Sequence, residues 1–178
     1  MTSNTFQIRI PRTHGVPAET NPLEEATAPP AAEQPEGDLP GTFITAMPPL
    51  PDADSKELEV TAVNPPYSYA RVSYNDRTKE YLYEVIEPQL SKHERDLLTH
   101  LKETLTRIIG GEVATMSAPE KRVYLRREVE NYLKTRGMQL SPLSTERLVY
   151  YITRDFVGFG PVDVLIADPQ IEDISCDG

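Results

Sequence analysis

Polar and apolar residues alternate in two neighbouring stretches of this chain, as they do in half-buried β-strands. The first stretch runs from Tyr67 to Tyr74 and the second from Lys79 to Ile86, with aromatic and branched residues at alternate positions. The four residues between them, Asn75 to Thr78, have the composition of a turn. This pattern predicts a β-hairpin whose tyrosines pack in a core.

Three amphipathic helices are predicted after the hairpin. The first spans Ser91–Gly110 and the second spans Ser117–Gly137, with leucine, isoleucine or valine recurring every three or four residues. Both begin with the serine-x-x-glutamate pattern of a capping box, and both stop at glycine. The third runs from Ser144 or Thr145 to Val157. Their large apolar side chains are sufficient for a compact unit that leans on the hairpin.

The chain closes with an interrupted apolar segment. In the turn Gly158–Pro161, glycines flank a phenylalanine, which predicts positive φ angles and a buried aromatic ring. An apolar run (Val162–Ile166), a break at Asp168–Pro169 and a strand from Ile171 to Cys176 follow. A lone strand cannot satisfy its own backbone hydrogen bonds. We therefore expect a sheet domain that continues beyond Gly178, with the apolar run docked on its strands.

The first third of the chain has a different composition. Residues 1–66 hold 12 of the 17 prolines and carry ten acidic against three basic side chains, a local net charge of −7. Such a segment buries too little apolar surface to offset its ordering entropy, which predicts a disordered tail over residues 1–62. Within the tail, Phe6–Ile10 alternates like a strand without a predicted partner, and Phe43–Ile44 is the other apolar spot.

These elements predict an α+β fold in three parts. Residues 1–62 form the acidic tail, 63–139 a hairpin and helical domain, and 140–178 the start of a second, sheet-containing domain. The net charge of −10 argues against a nucleic-acid partner, because neutralising phosphates needs a basic footprint. No stretch approaches 18 apolar residues, and the single cysteine, Cys176, fits a reducing compartment. We therefore expect a cytoplasmic location.

Two segments of the chain resemble archaeal type II/type IV secretion-system ATPases, the family that drives secretion, type IV pilus assembly and archaellum rotation. One is VNPPYSYARVSYNDRTKEYLYEVIEPQL (Val63–Leu90), and the other is RDFVGFGPVDVLIADPQIEDISCDG (Arg154–Gly178). The resemblance is to the N-terminal region of those proteins, where the second segment forms a hinge onto a small sheet domain. Its motif positions are Arg154, Asp155, Gly158, Gly160, Pro161, Asp168, Pro169, Glu172, Asp173 and Gly178.

The resemblance also implies a ring-shaped homo-hexamer at the inner face of the cell membrane. In it, the N-terminal domains lie over a C-terminal RecA-like ATPase domain, which binds ATP and Mg²⁺, and they face a polytopic membrane platform protein. The phosphate-binding loop G-x-x-x-x-G-K-[S/T] does not occur in these 178 residues, since neither Gly110–Gly111 nor Lys134–Thr135 completes it. We therefore expect this chain to be non-catalytic and to hold no cofactor.

Other candidate side chains have a functional and a structural interpretation. His93 and His100 share a helix face, but two histidines without a third ligand make a poor metal site. Arg154 can simply stabilise a helix C-terminus. Cys176 has no neighbouring histidine to activate it, which favours an inert thiol. No catalytic constellation is present among these residues.

A basic cluster opens the second predicted helix. It could meet an acidic partner, anionic lipid or the acidic tail, or it could form a solvated face in which Arg126 pairs with Glu130. The members of the basic cluster are Lys121, Arg122, Arg126 and Arg127.

Two functions from different classes follow. The first is a non-catalytic region that couples a secretion or pilus motor to its platform protein. The second is a free-standing cytoplasmic adaptor that carries a disordered acidic arm. A phosphate-binding loop encoded after codon 178 would favour the first, and a stop codon there would favour the second.

Overall fold

The computed structural model describes residues 7–10, 43–44 and 47–174, and over these residues the fold is α+β. Four strands form one antiparallel sheet in the order β1-β4-β3-β2. The strands are β1 (Gln7–Ile10), β2 (Ser55–Asn64), β3 (Ser68–Asn75) and β4 (Glu80–Ile86). The helices are α1 (Lys92–Ile108), α2 (Gly111–Ala114), α3 (Ala118–Thr135), α4 (Pro142–Phe156) and α5 (Asp163–Ala167), with a 3-10 turn at Gly160–Val162 before α5.

The predicted hairpin is confirmed. Strands β3 and β4 pair from Tyr69 opposite Ile86 to Asn75 opposite Glu80. The Asn75 side chain closes the turn, because its Oδ1 accepts hydrogen bonds from the backbone N–H groups of Arg77 at 2.9 Å and Thr78 at 2.8 Å. This is the local bond that favours asparagine in turns.

Order begins earlier than the composition predicted. Strand β2 pairs with β3 and starts at Ser55, and β1 pairs with β4 from Gln7 opposite Glu84 to Ile10 opposite Tyr81. The prediction of a disordered tail up to residue 62 is therefore wrong for these strands. Edge strand β2 leaves most of its side chains exposed, so it tolerates the charges that resembled a tail. Residues 1–6, 11–42 and 45–46 lie outside the described part of the chain.

One face of the sheet is covered by the short helix α5. Val164 and Leu165 are buried against Tyr83 and the neighbouring strand residues, and Ile171 packs at the border of this cluster. The apolar run thus docks on the chain's own sheet, and the prediction that it waits for strands beyond Gly178 is wrong. Because Pro161 and Asp163 suit the first turns of helices, the run is helical.

The predicted terminal strand is not seen where the structure describes it. Residues 171–174 have no strand structure, and residues 175–178, which include Cys176, lie outside the described part. The domain boundary between residues 139 and 140 stays a prediction.

The other face of the sheet holds a buried ion pair. Arg71 and Glu84 lie directly opposite each other on β3 and β4, and each residue is 2% exposed. Arg71 Nη2 lies 2.8 Å from Glu84 Oε2, and the same guanidinium donates to the carbonyl oxygens of Pro48 (2.6 Å) and Pro49 (3.1 Å). These two prolines, the proline strap, are thereby fastened across the sheet.

The three long helices form the second part of the fold. As predicted, α1 begins with a capping box, in which Ser91 Oγ accepts from the Glu94 backbone N–H and the Glu94 carboxylate accepts from the Ser91 backbone N–H. Helix α4 begins at Pro142, a little before the predicted Ser144, because Ser141 caps it and proline suits the first helical position. The core of this part comprises Leu97, Leu98, Leu101, Leu105, Leu125, Val129, Leu133, Leu148, Val149, Tyr150, Tyr151 and Ile152. Among the described helices, none combines the length and apolar character that a membrane span needs.

The Arg71–Glu84 pair gives a first prediction. Replacing Arg71 by methionine should lower the free energy of unfolding by about 3–5 kcal/mol, since the Glu84 carboxylate stays buried without the guanidinium. Urea unfolding followed by circular dichroism measures the change. As a control, Lys56→Met breaks the exposed Lys56–Asp76 pair and should leave the unfolding midpoint almost unchanged. A small effect of both substitutions would contradict the proposed weight of the buried pair.

Candidate functional site

A cleft of about 340 Å³ opens where the sheet meets the helices. Its walls come from α3, α4, the end of β2 and the turn after α4. Three arginines, Arg122, Arg126 and Arg154, line it together with Tyr67 and Tyr150. The volume is at the lower end of the range for ligand sites, which gives room for a few side chains.

Two of three stacked aromatic rings, those of Tyr67 and Tyr150, line the cleft, and the Phe43 ring stacks on Tyr67. The ring centroids of Phe43 and Tyr67 are 4.6 Å apart with planes 6° from parallel, and those of Tyr67 and Tyr150 are 4.9 Å apart at 11°. The Phe43 backbone N–H also donates to the Pro66 carbonyl at 3.2 Å. The apolar spot at Phe43–Ile44 is thus an anchor that brings the chain to the edge of the cleft.

A buried ion pair lies behind the tyrosines. Arg154 Nη1 lies 2.6 Å from Glu87 Oε2, and both side chains are almost fully buried. Tyr150 donates its hydroxyl to Glu87 Oε1 at 2.7 Å, and Tyr151 donates to the Pro88 carbonyl at 2.7 Å. We call this set the Glu87 junction, because it joins the residues after β4 to helix α4. Arg154 therefore joins α4 to the residues after β4, which is more than the predicted stabilisation of a helix C-terminus.

Asp155 extends the junction to a second helix, α1. Its Oδ1 accepts from Arg154 Nε at 2.8 Å, and its carboxylate forms an ion pair with Lys102 of α1. Burial raises the pKa of Tyr150, and the Glu87 carboxylate raises it further, so the hydroxyl remains a neutral donor. Burial alone would lower the pKa of Arg154, but the Glu87 and Asp155 carboxylates raise it, which keeps the guanidinium charged.

A second ion pair crosses the cleft wall from α3 to α4. Arg126 Nη2 lies 2.8 Å from Glu146 Oε2, and the Tyr67 hydroxyl donates to the same oxygen at 3.3 Å. The hydrogen bond from Arg126 holds the pKa of Glu146 below its ordinary value, although burial acts in the opposite direction. The predicted pairing of Arg126 with Glu130 within α3 is therefore replaced by a pair between helices.

The other residues of the basic cluster make fewer polar contacts than Arg126 does. Arg127 lies over the Tyr124 ring, 5.5 Å from its centroid, and within 3.6 Å of the Glu128 carboxylate. Over the described part of the chain, Lys121 and Arg122 make no ion pair. Val123, next to Arg122 in the cleft wall, is 71% exposed.

The glycine turn after α4 closes the cleft. A Cβ atom on Gly158 would meet the Asp163 carboxylate and would lie 2.8 Å from the Arg154 carbonyl oxygen, so only glycine fits. Gly160 has a φ of +65°, which confirms one of the two predicted positive angles. The predicted buried ring is wrong, since Phe159 is 67% exposed. Asp163 occupies the space beside Gly158 instead and accepts the Phe159 backbone N–H at 3.0 Å.

The remaining motif positions lie away from the cleft. Asp168 is 2% exposed at the sheet, where its Oδ2 accepts the Tyr83 hydroxyl at 2.5 Å. Pro169, Glu172 and Asp173 are exposed, and Gly178 lies outside the described residues. The structure therefore brings Arg154 and Gly158 to the cleft, places Asp155 between Arg154 and Lys102, and places Asp168 on the sheet. Their role as a hinge stays a prediction.

The other candidate side chains form no site with them. His93 and His100 are exposed on α1, and Cys176 lies outside the described residues. Within the part of the chain that the structure describes, no three histidine, cysteine, aspartate or glutamate side chains come together as a metal site requires. The sequence analysis missed Glu87 and Tyr67, whose partners lie 67 and 79 residues away along the chain.

The tight approach at Gly158 gives a second prediction. Gly158→Ala should lower the free energy of unfolding by roughly 1–3 kcal/mol, because the methyl group displaces Asp163 or the Arg154 carbonyl. Thermal unfolding measures the change. Gly110→Ala is the matched control, since its Cβ would meet nothing within 4 Å, and it should not destabilise the fold. Equal effects of the two substitutions would show that the close approach is not restrictive.

The Arg126–Glu146 pair gives a third prediction, on pH. Because the folded-state pKa of Glu146 is depressed, the stability that this carboxylate adds is present above its ordinary pKa of 4.5 and is lost as the pH falls through the folded value. The difference in unfolding free energy between wild type and Glu146→Gln should therefore be constant above about pH 6 and shrink in acid. Glu130→Gln, at an exposed position of α3, should show a smaller difference. A gap that widens in acid would contradict the assignment.

Comparison with known proteins finds similarity over part of this chain. Residues 48–89 match the family described as PilB3-like, N-terminal. The chain is also 28% identical over 103 residues to the uncharacterized protein MJ1288 of Methanocaldococcus jannaschii. That alignment covers 58% of this chain and 40% of the relative's length. The family match supports a similarity to the N-terminal region of PilB-type secretion ATPases.

Proposed function

We propose that this chain is the non-catalytic N-terminal region of a hexameric secretion or type IV pilus assembly ATPase of the archaeal kind. In this role it couples the motor to a membrane platform protein at the cytoplasmic face of the membrane. The observation that carries the proposal is the match of residues 48–89 to the PilB3-like N-terminal family.

The limits of the matched range coincide with features of the fold. The range begins at Pro48, in the proline strap held by Arg71, and it ends at Gln89, just after the Glu87 junction. The matched residues therefore comprise strands β2 to β4, the proline strap before them and Glu87 after them. The strap is bound by Arg71, and Glu87 is bound by Arg154. These contacts tie the matched strands to helix α4 at one end and to the proline strap at the other, which supports a role in positioning and coupling.

The absence of a phosphate-binding loop from the sequence supports the non-catalytic part of the proposal. Nothing in the 178 residues has the glycine-rich cradle and lysine that bind nucleotide phosphates. In the proposed assembly, ATP and Mg²⁺ bind to a RecA-like domain that this sequence does not contain. The chain positions that domain relative to the membrane.

A membrane co-sedimentation experiment tests the coupling role and is the fourth prediction. Inverted membrane vesicles are prepared from cells that carry the platform protein and from cells that lack it, and each is mixed with the purified chain. The chain should sediment with the first vesicles and remain in the supernatant with the second, because the platform protein is its membrane partner. Equal sedimentation with both kinds of vesicle would contradict the proposal.

A titration checks the non-catalytic part separately. With a non-hydrolysable ATP analogue and Mg²⁺, the chain should release no binding heat in calorimetry. Micromolar binding would contradict this part and indicate a nucleotide site of another type. The co-sedimentation result does not depend on this outcome.

A free-standing adaptor is the second candidate function. The observation in its favour is that Val164 and Leu165 of α5 cover the sheet within this chain, so the sheet face does not need strands from elsewhere. An adaptor would bind its partner in the absence of the platform protein. Vesicles that lack the platform protein therefore distinguish the two candidates.

A further inference from the structure

We propose that the cleft between α3, α4 and the end of β2 binds an acidic, partly apolar segment of a partner protein, with Arg122 as its anchoring cation. The inference rests on the proposed coupling function, because it names the surface through which coupling would occur. It does not require that the chain bind nucleotide or lipid.

The charged side chains that line the cleft differ in whether they already have a partner within the chain. Arg126 is paired with Glu146, and Arg154 is held by the Glu87 junction. Arg122 makes no ion pair among the described residues and is exposed, and Lys121 precedes it on α3. The opposing Asp163 carboxylate already accepts the Phe159 backbone N–H at 3.0 Å. The cation left for a ligand in this cleft is therefore Arg122, whose fork of donors suits a carboxylate.

The apolar surface of the cleft indicates what accompanies that carboxylate. Val123 is 71% exposed in the cleft wall, and the side chains of Val149 and Tyr150 line the interior. Because Val123 is exposed and lies beside Val149 and Tyr150 in the lining of one concave site, its side chain is accessible to an apolar side chain of the ligand. A segment that carries aspartate or glutamate next to leucine or phenylalanine meets both requirements.

A peptide suits this surface better than an anionic membrane does. The cleft is concave, and a bilayer surface would contact its rim without reaching the tyrosines. The chain also carries a net charge of −10, which opposes its approach to anionic lipids over distances longer than the cleft itself. A short acidic segment can come within a few ångströms of Arg122. The more distant negative charges of the chain are then screened by salt and repel the segment little.

The fifth prediction concerns a fluorescent peptide in which glutamate alternates with leucine and phenylalanine. It should bind the purified 178-residue chain with saturation, as fluorescence anisotropy measures, and added salt should weaken the binding. A peptide with lysine in place of every glutamate should not bind. Arg122→Glu should weaken binding about tenfold or more, because the anchoring charge is reversed.

A matched variant separates this effect from a general change in charge. Lys92→Glu reverses an exposed cation near the start of α1, as Arg122→Glu does near the start of α3, and neither change places an unfavourable charge at a helix N-terminus. Lys92→Glu should keep the wild-type affinity for the peptide. Arg122→Lys should retain part of it.

Several outcomes would overturn the inference. These are no binding of the acidic peptide, equal binding by wild type and Arg122→Glu, or binding only to vesicles rich in phosphatidylserine. Self-association that Arg122→Glu abolishes, seen by analytical ultracentrifugation, would make a second copy of the chain the occupant instead. If peptide binding fails while sedimentation with platform-containing vesicles persists, the cleft assignment is wrong and the coupling function stands.

Discussion

The arrangement of the sheet relative to the helices depends on the ion pair between Glu87 and Arg154. Burying two charges is costly, and the cost is recovered only when the geometry is good and the remaining donors and acceptors are satisfied. Here Tyr150 and Asp155 supply the additional hydrogen bonds, so the pair has the partners that such a site needs. Because these partners come from fixed positions on α4, the charges also fix the angle at which the chain leaves β4.

The need for such a junction follows from the two hydrophobic clusters of the described residues. One cluster fills the space between α1, α3 and α4, and the other lies between the sheet and α5. Apolar contacts hold each part together but are non-directional. The polar contacts of Glu87 and the stacked rings of Tyr67 and Tyr150 have defined geometry, and they determine how the two parts meet. The cleft is the space left beside that meeting point.

Local patterns in the sequence predicted the hairpin and the three long helices, because turns, caps and periodicity depend on residues that are close in sequence. Strand β2 escaped prediction, since an edge strand with Glu57 and Glu59 on its surface has the composition of a solvated tail. The contacts of Arg154 with Glu87 and of Tyr67 with Glu146 could not be predicted, because the partners are more than sixty residues apart along the chain. The family resemblance identified relatives without identifying the cleft, because most of the residues that line the cleft come after the matched range.

The proline strap has a consequence for how this protein behaves at high concentration. A segment of residues other than proline would present backbone N–H groups beside the sheet. Another chain could form hydrogen bonds with those groups and add a strand. Pro48 and Pro49 have no N–H, so their backbone offers only acceptors, and both carbonyls receive hydrogen bonds from the same Arg71 side chain. The segment therefore covers the buried charges of Arg71 and Glu84 and adds, at these two positions, no N–H donor to which another strand could pair.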